Sequence, residues 1–399
     1  MKKEKNPCIY YLFFFLLLNG FFACSHGDEK EIPDPTDANY FIAVTESVSL
    51  DRTSLLKRLS SDVPDFIALL LPDTKIQTDA IRYKSKDPKG NPVEASGIIS
   101  YPTKGPIKGV VVGEHYSIGA NREAPSSTMA IIESALALFG YVVIAPDYLG
   151  FGSTVDLPQT YLHAESAGRV SVDIFFAARE YMEKRNTPIG KEIDIIGYSQ
   201  GGYSALAFAQ MAEEHYAEEI SIRRVFAGGG PYVPASMFDL FIESNTLDNP
   251  PTVLLATIGL DYGDQLNLNY ANVFQEPLLS NYTDWCISKK YSLAEIEKKL
   301  GSKKLSDFMH PDLFQPNKNA DLNKLYTSLH RNNVIGWTPQ AFLLLVHGKK
   351  DQTVPHINAE KAYESFQNKG CQVELKSFET DHSDTAIPFF LEVLNRLGT

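Results

Sequence analysis

The sequence predicts an α/β fold, with a mostly parallel central sheet and helices on both faces. Short apolar runs alternate along the chain with stretches of helical periodicity. Strands that are apolar throughout belong to sheets buried on both faces, and alternation with helices makes such strands parallel. The 399 residues, 44% hydrophobic and 22% charged, are ample for a large core. The candidate strands are residues 110–112, 141–144, 193–196, 225–227, 342–346 and 373–378.

Helical segments are predicted between and after these strands, because their apolar residues recur at helical spacing. They lie near residues 129–138, 165–184 and 387–397, with another directly after Ser199. Closer to the N-terminus, residues 46–71 carry a helical set of leucines. Residues 76–101 instead alternate between apolar and polar and are broken at residues 87–92. That pattern predicts an antiparallel hairpin.

One interval interrupts the alternation of strands and helices. Residues 233–338 contain no clear apolar strand, and a connection of roughly a hundred residues is uncommon unless it is functional. We therefore expect a helical cap inserted here, which divides the core into residues 46–232 and 339–399. Most of its tyrosines and Trp285 are expected to form the cap's own core, with the lining of a binding cleft as the alternative.

The first residues are predicted to be a targeting signal. A basic N-terminus precedes an apolar run over residues 9–23, which is too short to cross a bilayer as a helix. Its end resembles a bacterial lipoprotein signal, although Phe21 stands where an aliphatic residue is usual. The resemblance implies a signal peptide over residues 1–23, and a lipidated Cys24 as the first mature residue.

Residues 24–45 are predicted to be a polar tether. Several acyl chains on Cys24 would hold the exported protein at the bacterial cell envelope. The acidic residues 27–31 look like signals that send lipoproteins to the outer membrane and the cell surface. Soluble secretion after ordinary cleavage and an uncleaved anchor are the alternatives.

Charge and cysteine content limit which partners, disulfides and metal sites the protein can have. The formal net charge is −12 and there is no block of Lys and Arg, which argues against nucleic acid as a partner. Cys8 would leave with the signal, so Cys286 and Cys371 would remain, either paired or as thiols. The chain lacks the Cys and His spacing of a structural zinc site.

The most informative motif is Gly197-Tyr198-Ser199-Gln200-Gly201, of the form G-x-S-x-G. It follows a candidate strand and precedes a candidate helix, which is the context that a nucleophile elbow requires. In such an elbow the serine lies on a strained turn above the sheet, and the helix N-terminus aims N–H groups at a developing oxyanion. Ser199 is therefore the candidate nucleophile.

A serine nucleophile needs a histidine base and an acid that orients it. When the nucleophile sits on such an elbow, the acid and then the histidine follow it along the chain. His382 follows the last candidate strand, and Asp351 follows the strand before it. Asp381 is a poor acid because it is adjacent to His382, and Asp239 is the fallback if Asp351 only caps a helix.

An oxyanion hole needs two N–H donors. Gln200, directly after the nucleophile, is expected to supply one of them. The other should come from the loop after residues 110–112, with the backbone of His115 or Tyr116 as candidates. Asp147, after the next strand, is expected to be a structural hydrogen-bonding residue.

Taken together, these motifs resemble the α/β-hydrolase superfamily, and more narrowly its secretory lipase and esterase branch, over about residues 75–399. The resemblance implies Ser199 as nucleophile, Asp351 as acid and His382 as base, and a helical cap after the sixth strand. The loop expected to supply the second oxyanion donor departs from the usual sequence motif of the family. The matching residues are 145–152, 161–166, 197–202, His347-Gly348 with Asp351, and Asp381-His382.

The predicted function is hydrolysis of carboxylic esters through an acyl-enzyme, with no metal or cofactor. An ester substrate, either a small molecule or an acylated polymer, would be the partner. A serine peptidase is the nearest rival, since one fold hosts both reactions. A catalytically silent binding lipoprotein is the rival from another class, although every triad position is filled.

Overall fold

The computed structural model describes residues 39–59, 65–315 and 318–398. Its centre is a nine-stranded sheet in the order β1-β2-β3-β5-β4-β6-β7-β8-β9. The strands are β1 Phe41–Asp51, β2 Lys75–Lys86, β3 Pro92–Pro102, β4 Gly109–Glu114, β5 Tyr141–Pro146, β6 Glu192–Tyr198, β7 Ser221–Gly228, β8 Phe342–Gly348 and β9 Val373–Phe378.

Helices flank the sheet on both faces and fill the long connection between β7 and β8. In the described ranges the α-helices are α1 Arg52–Arg58, α2 Asp65–Leu70, α3 Pro125–Thr128, α4 Ala164–Lys184, α5 Gln200–His215, α6 Pro234–Ser244, α7 Pro251–Gly263, α8 Leu278–Tyr282, α9 Leu293–Leu300, α10 Ala320–Arg331, α11 Ile357–Asn368 and α12 His382–Leu397.

The sheet is antiparallel at one side and parallel over the rest. β1, β2, β3 and β5 pair antiparallel in that order, whereas β5, β4, β6, β7, β8 and β9 form a continuous parallel array. This confirms the predicted fold class and the predicted hairpin. The carboxyl ends of β4, β6, β8 and β9 therefore meet at one edge, where the candidate site residues follow them.

Two apolar layers lie on opposite faces of the sheet. Val110 and Val112 of β4 pack into the layer beneath α4 and α5, whereas Val111 faces the layer formed with α12. This alternation follows from the twofold side-chain period of a strand. Because both faces are covered, the central strands are apolar throughout, which is the pattern that the sequence shows.

The N-terminal helix prediction is partly wrong. Residues 46–51, assigned to a helix, belong to β1, and Leu50 pairs with Ile76 of β2. Helix α1 begins after Asp51, whose side chain accepts a hydrogen bond from the Ser54 N–H at 2.8 Å. Because β1 starts at Phe41, the last residues of the predicted tether also belong to the sheet.

Two other segments differ from their predicted form. The helix expected near residues 129–138 is a 3₁₀ helix, Ile132–Phe139. The last helix begins at His382, about one turn earlier than predicted. Asp381 caps it by accepting a hydrogen bond from the Asp384 N–H at 2.9 Å, so His382 lies on the helix instead of in a loop.

Residues 229–341 connect β7 to β8 and carry α6 to α10. Within this segment the rings of Tyr270, Phe274 and Tyr282 pack against one another, with centroids 4.6 to 5.9 Å apart. Trp285 is also largely buried. These aromatic groups therefore form part of the segment's own core. That the segment acts as a cap over the site stays a prediction.

The described residues leave the targeting predictions untouched. The predicted signal, residues 1–23, and Cys24 lie outside them. No helix of the described ranges has the length and hydropathy needed to cross a bilayer. Cys286 and Cys371 are both free thiols, and burial raises the pKa of Cys286 to about 12.

Candidate active site

Ser199 sits on a sharp turn between β6 and α5. Its backbone has φ 59° and ψ −123°, an unfavourable conformation for a residue with a side chain. The turn is held by the Ser199 N–H, which donates to the Gly228 carbonyl oxygen at 2.8 Å. Ser199 is therefore lifted above the sheet edge at the N-terminus of α5.

The two outer glycines of the motif are required by close packing. A Cβ atom on Gly197 would collide with the Gly201 carbonyl oxygen, and one on Gly201 with the Glu114 carbonyl oxygen. The elbow consequently lies directly against the end of β4. That contact brings the loop after β4 beside Ser199.

The structure brings the three residues picked out by chain order together. His382 Nε2 lies 3.0 Å from Ser199 Oγ, and His382 Nδ1 lies 2.6 Å from Asp351 Oδ2. Ser199 follows β6, Asp351 follows β8, and His382 begins α12 after β9. One imidazole thus bridges a hydroxyl and a carboxylate, and each distance is that of a hydrogen bond.

Asp351 is buried and held on both oxygens. Its Oδ1 accepts from the Val354 N–H at 2.7 Å, and its Oδ2 also lies 3.3 Å from His347 Nε2. Burial alone would raise the pKa of Asp351, but hydrogen bonds from His347 and His382 lower it below its ordinary value. Asp351 therefore stays ionised beside His382.

The fallback acid lies in a different environment. Asp239 on α6 accepts a hydrogen bond from the Tyr326 hydroxyl at 2.7 Å in an exposed position. Asp381 is occupied as the cap of α12. In the described contacts, Asp351 reaches the His382 ring, whereas Asp239 and Asp381 do not.

The candidate oxyanion residues flank Ser199. Gln200 is the first residue of α5. Tyr116 lines the same cavity as Ser199, whereas the His115 ring turns inward and stacks on Tyr148 with centroids 4.1 Å apart. His115 Nδ1 lies 2.7 Å from the Tyr116 carbonyl oxygen. Burial lowers the pKa of His115 to about 4, so the ring is neutral.

Asp147 braces the loop that follows β5. Its carboxylate accepts from the Ser96 hydroxyl at 2.6 Å and from the N–H and hydroxyl of Ser126 at 2.8 and 2.5 Å. Burial raises the pKa of Asp147 in spite of these donors. These contacts are those of a structural hydrogen-bonding residue.

A cavity of about 490 Å³ opens onto Ser199 and His382. Its wall combines residues of the sheet edge with residues of the β7–β8 connection. The lining residues are Tyr116, Ser117, Tyr161, Tyr198, Ser199, Pro231, Met237, Asp248, Asn249, Thr252, Leu293, Glu297, Thr353, Val354, His382, Ser383 and Ala386. An acyl or alcohol group placed here would contact both polar and apolar side chains.

Comparison with known proteins identifies the family. The model of the secretory lipase family matches residues 126–387, about two thirds of the chain. The chain belongs to the secretory lipase family. The predicted α/β-hydrolase membership is confirmed by this match and by the parallel sheet.

A secreted triacylglycerol lipase of Malassezia globosa is 26% identical to this chain over 296 residues, which are 70% of its length. The match spans 60% of that relative's length. The rice cell wall degrading esterase LipA from Xanthomonas oryzae superposes with a TM-score of 0.74 at 23% identity, over 89% of this chain and 96% of its own. Candida antarctica lipase A in its closed state gives 0.62 at 16% identity, over 91% and 85%. The two structures support the fold.

Two residues of the matching motifs make contacts beside the site that the sequence did not predict. The Tyr198 hydroxyl donates to the His382 carbonyl oxygen at 2.5 Å, and the two rings lie 5.4 Å apart. His347 contacts Asp351 from β8 and is fully buried. The position of Tyr198 between Gly197 and Ser199 in the motif indicated that it lies beside the site. The contact of His347 with Asp351 depends on the direction of a side chain, which the sequence does not indicate.

A charged group at the cavity wall was also missed. Lys303 Nζ lies 3.4 Å from a Glu297 carboxylate oxygen and 3.6 Å from an Asp248 oxygen. The Thr353 hydroxyl donates to Asp248 at 2.6 Å. This contact joins the β7–β8 connection to the loop that carries Asp351.

Proposed function

We propose that the protein hydrolyses carboxylic esters through an acyl-enzyme, with Ser199 as nucleophile, His382 as base and Asp351 as acid. The observation that carries the proposal is the position of one imidazole, 3.0 Å from the Ser199 hydroxyl and 2.6 Å from the Asp351 carboxylate. Membership of the secretory lipase family supports the same reaction.

Each residue has a defined part in the proposed reaction. His382 Nε2 takes the hydroxyl proton as Ser199 Oγ attacks the ester carbonyl carbon. Asp351 accepts from the Nδ1–H and stabilises the imidazolium. His382 then protonates the leaving alcohol, and a water molecule activated by the same ring releases the acid from Ser199.

The negative carbonyl oxygen of the tetrahedral intermediate needs donors that are already in place. The Gln200 N–H lies at the positive end of α5 beside Ser199. For the second donor we favour the Tyr116 N–H, because Tyr116 lines the cavity while the side chain of His115 is turned inward.

The central test uses a fluorophosphonate probe, which labels an activated serine. We expect labelling of the native protein at Ser199, and loss of both labelling and ester turnover in Ser199→Ala. Residual turnover should be lower by a factor of about 10⁶, as when a serine nucleophile is removed elsewhere. Ser302→Ala is the control, because Ser302 is half-buried and does not line the cavity, and it should behave like the native protein. Full turnover by Ser199→Ala would refute the assignment.

The reaction class is tested with a matched substrate panel. Nitrophenyl esters, triglycerides, acetylated sugars and aminoacyl amides would be compared at equal concentration with the native protein and Ser199→Ala. We expect esters to be cleaved and amides to be spared. Predominant cleavage of the amides by Ser199 would replace the esterase with a peptidase.

We infer that the protein is exported and held at the cell envelope by lipid on Cys24. The motif at residues 21–24 and the secreted relative support export and the site of attachment. Mass spectrometry of the native N-terminus should find acylated Cys24, and Cys24→Ser should release active protein into the medium. An unmodified N-terminus downstream of Cys24 would contradict the anchor.

A further inference from the structure

Two buried acidic residues lie behind the proposed oxyanion site. Glu114 ends β4, Glu133 lies in the 3₁₀ helix Ile132–Phe139, and both side chains are almost fully buried. A Cβ atom added to Gly113 would come within 3.0 Å of Glu133 Cβ, and one added to Gly197 within 3.0 Å of Glu114 Cβ. Among the described residues, no Lys or Arg contributes to the pKa of either carboxyl.

The Glu114 carboxyl group has no hydrogen-bond partner on either oxygen among the described groups. The Ser171 and Tyr148 hydroxyls lie close enough to Glu114 to lower its pKa. Their hydrogen bonds nevertheless go to backbone carbonyls, from Ser171 to one of its own helix at 3.0 Å and from Tyr148 to that of His115 at 3.3 Å. The buried Ser204 hydroxyl on α5 also lacks a partner. A carboxylate without donors is far more costly to bury than a neutral acid, so this site favours the protonated form.

Glu114 is joined to the proposed donor loop on two sides. Its own carbonyl oxygen is the atom against which Gly201 of the elbow packs. The next residue, His115, is held by the Tyr148 hydroxyl and by stacking on the Tyr148 ring. Glu114 therefore stands between the elbow and Tyr148, at the start of the segment that ends in Tyr116.

We propose that Glu114 is a positioning residue for ester hydrolysis: as a neutral acid it supports the donor loop against the elbow, and its ionisation lowers turnover. The inference rests on the proposed function, since it assumes that the N–H groups of Gln200 and Tyr116 hold an oxyanion. A carboxylate directly behind those donors would oppose the negative charge that they stabilise, in surroundings of low dielectric.

The ionisation falls in an accessible pH range. Burial raises the pKa of Glu114 to about 7, although the hydroxyls of Ser171 and Tyr148 act against the rise. Burial also raises the pKa of Glu133 to about 8, and the negative charge of Glu114 adds to that rise. The two carboxyls thus lose their protons in successive steps that belong to the pair.

The other titratable groups facing Glu114 keep their charge state across this range. Burial raises the pKa of Tyr83 on β2 and of Tyr148 after β5 well above the ordinary value, so both stay neutral. His115 stays neutral because burial lowers its pKa to about 4. The groups contributed by α4 and α5 are the hydroxyls of Ser171 and Ser204, which carry no charge.

The test is the pH profile of kcat/KM with a neutral short-chain ester, from about pH 5.5 to pH 10. The native enzyme should lose activity on the alkaline side, by roughly tenfold, which corresponds to about one pKa unit of opposing charge. Glu114→Gln should retain activity near neutral pH and lose the alkaline decline. Glu133→Gln should retain the decline, because Glu114 still ionises. A native profile without the decline, or a decline that persists in Glu114→Gln, overturns the proposal.

A second variant and a second readout keep the result interpretable. Glu114→Asp should keep the decline at a shifted midpoint, and an unchanged midpoint would refute the role of Glu114. Burial lowers the pKa of Lys289 to about 8, so this residue also titrates in the tested range. Every variant retains Lys289, and its effect on the profile is therefore the same in all of them. Fluorophosphonate labelling at about pH 6 is run in parallel. Absence of labelling in the native protein refutes the proposed function itself, whereas labelled protein with a flat profile refutes the inference alone.

Discussion

Asp351 divides its carboxylate between its own loop and His382. Oδ1 accepts from the Val354 N–H, and Oδ2 accepts from the imidazole. In Asp351→Asn the amide can keep one of these contacts but cannot offer two acceptor oxygens. We expect kcat to fall by about 10³- to 10⁴-fold with little change in KM, since the imidazole would no longer be held in the productive tautomer. Steady-state kinetics on a nitrophenyl ester measures this.

Asp239→Asn is the matched control for that substitution. It removes the same charge from Asp239, which the sequence offered as the fallback acid. Since Asp239 binds the Tyr326 hydroxyl at an exposed position on α6, kcat should stay within about twofold of the native value. A large loss in Asp239→Asn with a small one in Asp351→Asn would reverse the assignment.

Ser199, Asp351 and His382 could be chosen from sequence because their signal is one-dimensional. Each follows an apolar strand, and their order along the chain is fixed by the winding of the sheet. The contacts of His347 with Asp351 and of Tyr198 with the His382 carbonyl are different. They depend on which way a side chain points across the sheet edge, and strand periodicity does not specify that direction at a strand end.

At the level of secondary structure, the strand–turn–helix unit around Ser199 depends on the absence of side chains at its glycines. In Gly201→Ala the new Cβ would meet the Glu114 carbonyl oxygen, a backbone atom that cannot rotate away. We expect a loss of about 1–3 kcal/mol in the free energy of unfolding, together with loss of fluorophosphonate labelling. Urea denaturation and labelling measure the two effects.

Gly190→Ala provides the comparison, because a Cβ there would meet no atom within 4 Å. It lies just before β6, on the same strand–turn–helix unit, and should leave both stability and labelling near the native values. Equal damage from the two substitutions would show that the elbow has more room than its packing indicates.

Strand β1 shows where element prediction from sequence stops. The leucines at positions 50, 55, 56 and 59 fit a helical period. Helix α1 contains Leu55 and Leu56, and Leu59 is its C-cap residue. The fourth, Leu50, belongs to β1 because pairing with Ile76 of β2 extends the sheet. The helical pattern of residues 46–51 is overridden by a tertiary contact with a strand that comes later in the chain.

For the whole molecule, buried carboxyls make stability depend on pH in two opposite ways. Burial raises the pKa of Glu114 and Asp173 to about 7 and that of Glu133 to about 8. The folded state therefore holds protons that the unfolded chain has released, and the free energy of unfolding falls as pH rises from about 4.5 to about 8. Burial would also raise the pKa of Asp264, but hydrogen bonds from His163 and Ser328 lower it to about 2. The contribution of Asp264 to the free energy of unfolding is present above about pH 4 and is lost as pH falls towards 2.

These opposite slopes predict a stability maximum near pH 5 and a measurable decline towards pH 8. Glu133→Gln removes one group that ionises in that window, so the decline should become shallower by up to about 1.4 kcal/mol per pH unit. Urea denaturation at closely spaced pH values gives the slope directly, whatever the absolute cost of burying the new amide. Glu94→Gln removes an exposed carboxylate, partly paired with Arg82, and should follow the native slope. A Glu133→Gln slope equal to the native one would mean that Glu133 is not protonated in the folded protein at neutral pH.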